Sequence, residues 1–173
     1  MVNVALLASV AEAYDVALQG QNLVIAGYGW EVSLGTVDII SARFLPDGTW
    51  DTTYGEKGVA VIDVAGQDDR SRTLQIIPDQ GVLIAGQGKP TATTQDRALV
   101  LLTPNGQRDT RLKGNGRALI DLGGPTDALF GLALSPDKTK AVAVGWKGID
   151  AAAVTPTNND DARVVHFSLP MAQ

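Results

Sequence analysis

Three runs of apolar residues, each closed by a glycine, set the rhythm of the chain: Leu23-Val24-Ile25-Ala26-Gly27, Val82-Leu83-Ile84-Ala85-Gly86 and Ala141-Val142-Ala143-Val144-Gly145. Their glycines stand 59 residues apart. Polar and turn positions keep nearly the same interval. Leu45-Pro46-Asp47-Gly48 returns as Thr103-Pro104-Asn105-Gly106, Asp51-Thr52 as Asp109-Thr110, Gly58 as Gly116, Ile62-Asp63 as Ile120-Asp121 and Pro78-Asp79 as Pro136-Asp137, each 58 residues on. Recurrence in several registers predicts a chain of like modules, each with an apolar face that its neighbours must cover.

Inside one module the apolar residues alternate with a period of two. Val37 to Phe44 and Asp96 to Leu102 are short runs rich in apolar and β-branched residues, ended by Pro-Asp-Gly or Pro-Asn-Gly. Those endings are turns: proline presets φ, and Gly48 and Gly106 accept a positive φ without steric cost. Four strands per module follow, in the second module near 72–77, 82–86, 97–102 and 117–122, joined by hairpin-length connections. No segment carries a helical apolar stripe, and almost no helix is expected.

Four-stranded modules of this length, arranged radially, are β-propeller blades, whereas the coils of a β-solenoid are shorter and need no paired hairpins. The predicted fold class is therefore all-β, a propeller with about three four-stranded blades per chain. The segment Arg43-Phe44-Leu45-Pro46-Asp47-Gly48-Thr49-Trp50-Asp51-Thr52-Thr53-Tyr54-Gly55-Glu56-Lys57-Gly58 resembles the signature of the delta-60 repeat, a bacterial propeller-type repeat. The likeness is strong in the first two modules, although Leu112-Lys113 stands in the second where the pattern prefers an aromatic followed by glycine. It is weaker in the third, which lacks the Pro-Asp-Gly turn. The resemblance implies a secreted or cell-surface setting.

Projected along the chain, the register makes residues 1–12 an opening fourth strand, 13–71 the first module, 72–130 the second and 131–173 a third without its fourth strand. Arg163 to Ser168 reads as that module's third strand. Three blades are fewer than the four to eight of a propeller. Completion by association is expected, either as a homodimer that closes a six-bladed ring or with a second propeller-forming chain.

The 173 residues are enough for one domain with a substantial core. A formal charge of −5, with 14 scattered basic residues, argues against nucleic acid. The apolar stretch Val4 to Ala11 is far short of a membrane span. The absence of cysteine excludes disulfides and zinc-thiolate sites. A single histidine, His166, on a predicted strand, offers no triad, and Walker, dinucleotide-binding and HExxH patterns are absent. Asp47-Gly48-Thr49-Trp50 is similar to the Asp-box of sialidase propellers only in composition, and Trp50 is expected to cover its turn and pack on a neighbouring blade. Neither an enzyme, a cofactor nor a metal site is predicted. The acidic turns around Asp47 to Asp51, Asp68-Asp69 and Asn158 to Asp161 lack the spacing of a calcium loop. Asp38, Asp96 and Asp161, each near the start of a third strand, are expected to bind backbone amides.

Binding is the surviving class. Connections of unequal length follow the apolar runs, at 28–37, 87–95 and 146–160, on one side of the predicted ring. The expected ligand-binding residues there are Tyr28, Trp30, Glu31, Gln87, Lys89, Trp146 and Lys147, with the aromatic faces suited to a sugar or a peptide. The function expected is recognition of a protein or carbohydrate ligand; the alternative is a structural subunit whose role is assembly of the ring. Tyr28 and Trp146 also fit a simpler role as wedges between neighbouring blades.

Overall fold

A computed structural model of the chain describes residues 10–33, 35–148 and 161–169. These residues form eleven strands and no helix. One sheet contains β1 (Ala11–Gln19), β2 (Asn22–Glu31), β3 (Thr36–Phe44) and β4 (Val59–Ile62). A second contains β5 (Asp69–Ile76), β6 (Val82–Gly88), β7 (Asp96–Leu102) and β8 (Arg117–Ile120). The third has β9 (Asp127–Leu134), β10 (Lys140–Lys147) and β11 (Asp161–Ser168). Each sheet is an antiparallel meander in chain order, so the expected all-β class holds.

The sheets begin slightly ahead of the module boundaries set at 72 and 131, at Asp69 and Asp127. Ala11 and Glu12, counted above with an opening strand, belong to β1; residues 1–9 lie outside the described residues.

Successive sheets pack face to face, and the second is buried on both sides. Val82, Ile84, Ala98, Val100 and Leu102 join Val24, Ala26, Ile39 and Ile62 of the first sheet in one core. The alternate residues Leu83, Ala85, Leu99 and Leu101 join Leu129, Leu132, Ala141 and Ala143 of the third in another. This is why β6 and β7 read as unbroken apolar runs: each buried aliphatic side chain contributes about 1.5–3 kcal/mol, whichever face it takes. Among the described residues the outward faces of the first and third sheets are covered only in part: Ile40, Ala42 and Val59 of the first are buried beneath Phe44 and Trp50, but other positions are not. Leu23 is 39% exposed, whereas Val82, which stands at the matching place in the second sheet, is 0% exposed. Val16 and Leu18 on the first sheet, and Val144 and Val164 on the third, are exposed likewise.

The Arg43 to Gly58 segment ties the first sheet to the second. The Tyr54 ring is fully buried, its hydroxyl 2.9 Å from the Ser41 hydroxyl, with the Arg43 guanidinium over its face. Arg43 donates to Asp51 at 2.7 Å and across the junction to the Pro104 carbonyl at 2.8 Å, while the Gly55 amide donates to the Asn105 carbonyl. In the second sheet Lys113 occupies the place of Gly55, and both adopt a positive φ, 53° and 62°. The missing glycine leaves that φ in place but not the whole turn: Glu56 and Val59 bond each other in the first sheet, whereas the Gly116 amide donates to the Leu112 carbonyl in the second. Trp50 covers its turn as expected, donating from Nε1 to the Gly58 carbonyl at 3.0 Å. It packs, however, against Ile40, Ala42 and Val59 of its own sheet and not on a neighbour. Asp47 and Asp51 accept the amides and hydroxyls of Thr49 and Thr53, the turn-forming role expected of them.

Candidate functional site

The glycine that ends each apolar run has a steric cause. β1, β5 and β9 are the edge strands of their sheets, and each bulges opposite its partner: between Ala13 and Asp15, between Ser71 and Thr73, and between Leu129 and Gly131. The bulge drives one backbone into the other. A Cβ on Gly27, Gly86 or Gly145 would lie 1.8, 2.0 or 1.9 Å from the carbonyl oxygen of Glu12, Arg70 or Ala128. Glycine is required there because no side-chain atom fits.

The extra residues in the bulges are Tyr14, Arg72 and Phe130, spaced 58 residues apart. Because β1 packs beside β5 and β5 beside β9, these three side chains meet. The Arg72 guanidinium carbon lies 4.8 Å from the centre of the Tyr14 ring and 5.6 Å from that of Phe130. Tyr14 stacks on Tyr28 of β2 with 5.3 Å between ring centres, and the Arg70 guanidinium covers Tyr28 at 4.9 Å. Glu12 accepts from both phenols, at 3.1 Å from Tyr14 and 2.9 Å from Tyr28. The hydrogen bond with Tyr14, aided by burial and the Glu12 charge, pushes the Tyr28 phenol up to about 12.

The result is a row of aromatic faces and guanidinium groups that runs across three sheets. Cation–π contacts of this kind contribute roughly 0.5–2 kcal/mol each. They engage the face of a guanidinium and leave its in-plane N–H donors for an anion. Arg70 has the Asp68 carboxylate 3.8 Å away. Arg72 is half-buried, has no carboxylate partner among the described residues, and its Nε has no acceptor.

Of the residues expected to bind ligand, the structure brings Tyr28 alone into this row. Trp30 and Glu31 follow at the end of β2: Trp30 is 40% exposed, and the Ser33 amide and hydroxyl hold the Glu31 carboxyl below its usual range. Gln87 is buried and donates to Gln95 at 2.9 Å; the Lys89 amide donates to Asp69. The Trp146 carbonyl receives Arg97, and Lys147 pairs in register with Asp127 and Asp161. The connections are also shorter than expected. β2, β6 and β10 run on through Glu31, Gly88 and Lys147, so Tyr28, Trp30 and Trp146 are strand residues, in keeping with the preference of aromatic residues for a pleated surface. Residues 149–160, which contain most of the third connection, lie outside the described residues.

Sequence reasoning missed Glu12, Tyr14, Arg70, Arg72 and Phe130. The one available signal was a large residue recurring 13 to 15 positions before each glycine, but phenol, guanidinium and phenyl share no motif.

Carboxylates collect at the junctions between sheets: Asp38, Asp63 and Asp69 at the first, Asp96, Asp121 and Asp127 at the second. Burial pushes Asp38 up to about 6 and Asp69 to about 7, and raises Asp96. The expectation that Asp38 binds backbone amides is not met. Its one described donor is the Thr36 hydroxyl, at 3.0 Å, because its position at the start of β3 faces the following junction and not its own turn. The amide acceptors are Asp69, which takes Val64 and Ala65, and Asp127, which takes Leu122. The side chain of Asp161 lies outside the described residues.

Elsewhere a groove of about 710 Å³ follows β4, with Glu31 and Trp50 on one side and Gln107 and Arg108 on the other. His166 stands on the outward face of β11, exposed. No described helix is long and apolar enough to cross a membrane. No protein-family model matches the sequence, and no curated protein matches it either.

Proposed function

We propose that the chain is a non-enzymatic recognition module of the β-propeller type, built from delta-60-like repeats, that holds a protein or glycan partner through the row on β1, β5 and β9. The observation that carries this reading is Arg72, a cation clamped between two aromatic rings with no carboxylate partner among the described residues. An anionic group, a carboxylate above all, completes such a site by bidentate hydrogen bonding. Flanking Tyr14 and Phe130 give the partner an apolar surface. The test is isothermal titration of uronic-acid oligosaccharides and of Asp/Glu-rich peptides into the chain. Binding by one of these classes, weakened about tenfold to a hundredfold by Arg72→Ala with the melting temperature unchanged, supports the reading. Arg72→Lys is expected to restore part of the affinity, since it keeps charge and loses the fork. Failure of every acidic probe to bind, or equal binding by Arg72→Ala, rejects it.

A second reading, assembly into a larger ring, is favoured by the outward apolar faces of the first and third sheets. The second sheet serves as the internal reference, since its corresponding faces are buried. A twin chain closing a six-bladed ring, or another propeller-forming chain, would cover both faces at once. Sedimentation of the wild-type chain is expected to give a species larger than a monomer, and Leu18→Asp together with Val164→Asp to return it to monomer. A monodisperse wild-type monomer would reject self-association.

A further inference from the structure

We infer that the first inter-sheet junction is a calcium site, with Asp38, Asp63 and Asp69 as its protein ligands. One oxygen from each carboxylate lies within 4.8 Å of the others. Oxygens that share an ion at about 2.3–2.6 Å can stand no further apart than about 4.6–5.2 Å, so this spacing is compatible with one coordination sphere.

Proximity of acids is not enough, and the burial of Asp38 supplies the second observation. Asp38 is 0% exposed, and its Oδ1 has no hydrogen-bond donor among the described residues. A buried carboxylate oxygen with nothing to receive costs free energy that a cation would recover. The other two ligands are already oriented. Asp63 accepts the Gly66 amide through Oδ1, and Asp69 accepts Val64 and Ala65 through Oδ2 and Lys89 through Oδ1. These bonds fix the carboxylates and leave lone pairs for an ion, as the outer partners of metal ligands do.

Comparison of the two junctions strengthens the assignment. At the second, Arg97 is 0% exposed and its Nη1 lies 3.5 Å from Oδ2 of Asp127, so the chain inserts its own cation. The corresponding residue at the first junction, 58 positions earlier, is Ile39. No described lysine or arginine forms an ion pair with Asp38, Asp63 or Asp69. Arg117 does reach this junction, but it donates to the backbone carbonyl of Asp63. Asp68, beside the cluster, is paired with Arg70 and accepts the Val37 amide. Three acids with an internal cation at one junction, and three without at the next, point to one external ion per chain. Three anionic oxygens from separate segments, with no preset octahedron, suit calcium better than magnesium.

The experiment is titration of calcium chloride into the full chain after chelator treatment, followed calorimetrically and by thermal melting. One ion per chain is expected. At a hundredfold excess over the dissociation constant, the melting temperature should rise by roughly 5–10 °C. Magnesium should give a smaller shift. Asp38→Asn and Asp63→Asn should each weaken calcium binding at least tenfold, while Asp96→Asn and Asp121→Asn leave it unchanged. Asp63 is only partly buried, so Asp63→Asn keeps the test decisive if Asp38→Asn fails to fold. No heat and no shift at 10 mM calcium, a test concentration about tenfold above the dissociation constant of the weakest extracellular calcium modules, overturns the inference. So does calcium binding that survives both substitutions, or a stoichiometry of two ions per chain.

Discussion

Gly86→Ala is expected to cost about 4 kcal/mol or more, enough to unfold a domain whose total stability lies near 5–15 kcal/mol. The single added methyl carbon would sit 2.0 Å from the Arg70 carbonyl oxygen and 2.7 Å from the Ser71 Cα, both backbone atoms held by the β5–β6 pairing. No rotamer change relieves a clash between Cβ and backbone, so the bulge at Arg72 must open. Opening it separates the strand that faces both cores, since β5 contributes Leu74 to the first and Ile77 follows it into the second. Gly20→Asn is the control. Gly20 has a φ of 63° and nothing within 4 Å of its added Cβ, a conformation asparagine tolerates at a cost of about 1 kcal/mol or less. Urea denaturation followed by far-ultraviolet circular dichroism distinguishes the two. Equal midpoints for Gly86→Ala and wild type would show that the bulge is not rigid.

The second large effect is expected at Arg97. Its guanidinium donates to the Trp146 carbonyl at 2.8 Å and faces Asp127, itself 0% exposed. Removing it by Arg97→Ala leaves a buried carboxylate without its cation, an orphaned carbonyl and a cavity between the second and third sheets. A loss of about 3–5 kcal/mol follows. Arg97→Met fills the volume and not the charge, and is expected to recover the cavity part alone. Adding Asp127→Asn to Arg97→Met removes the unpaired charge while keeping acceptors for the Leu122 amide, and should restore further stability. A double-mutant cycle on denaturation midpoints measures the coupling. Additive effects of the two substitutions would mean that the pair contributes nothing beyond packing.

What the sequence disclosed is what depends on single residue types. Proline, aspartate or asparagine, and glycine mark the hairpins at 46–48 and 104–106, and the unbroken apolar runs Val82 to Ala85 and Ala98 to Leu102 mark strands that the structure places at 82–88 and 96–102. The glycines at 27, 86 and 145 were conspicuous, yet their reason was hidden, because the clash that demands them involves carbonyls on another strand. Strand ends were also misread. Glu31 and Lys147 look like loop residues, and their inclusion in β2 and β10 is decided by partners in β3 and β11. Of the junction acids, Asp38, Asp69 and Asp96 were read singly, as residues of turns or partners of backbone amides. Asp38 comes from the start of β3, and Asp63 and Asp69 from the two ends of the connection between β4 and β5; only their assembly in space reveals a shared problem of charge.

The bulges divide labour between their two strands. At each one the steric demand falls on the glycine of the second strand, while the looped-out position is under no packing constraint from either core. That position holds phenol, guanidinium and phenyl in turn. Within this chain, positions 14, 72 and 130 therefore differ from one bulge to the next while the glycines at 27, 86 and 145 do not.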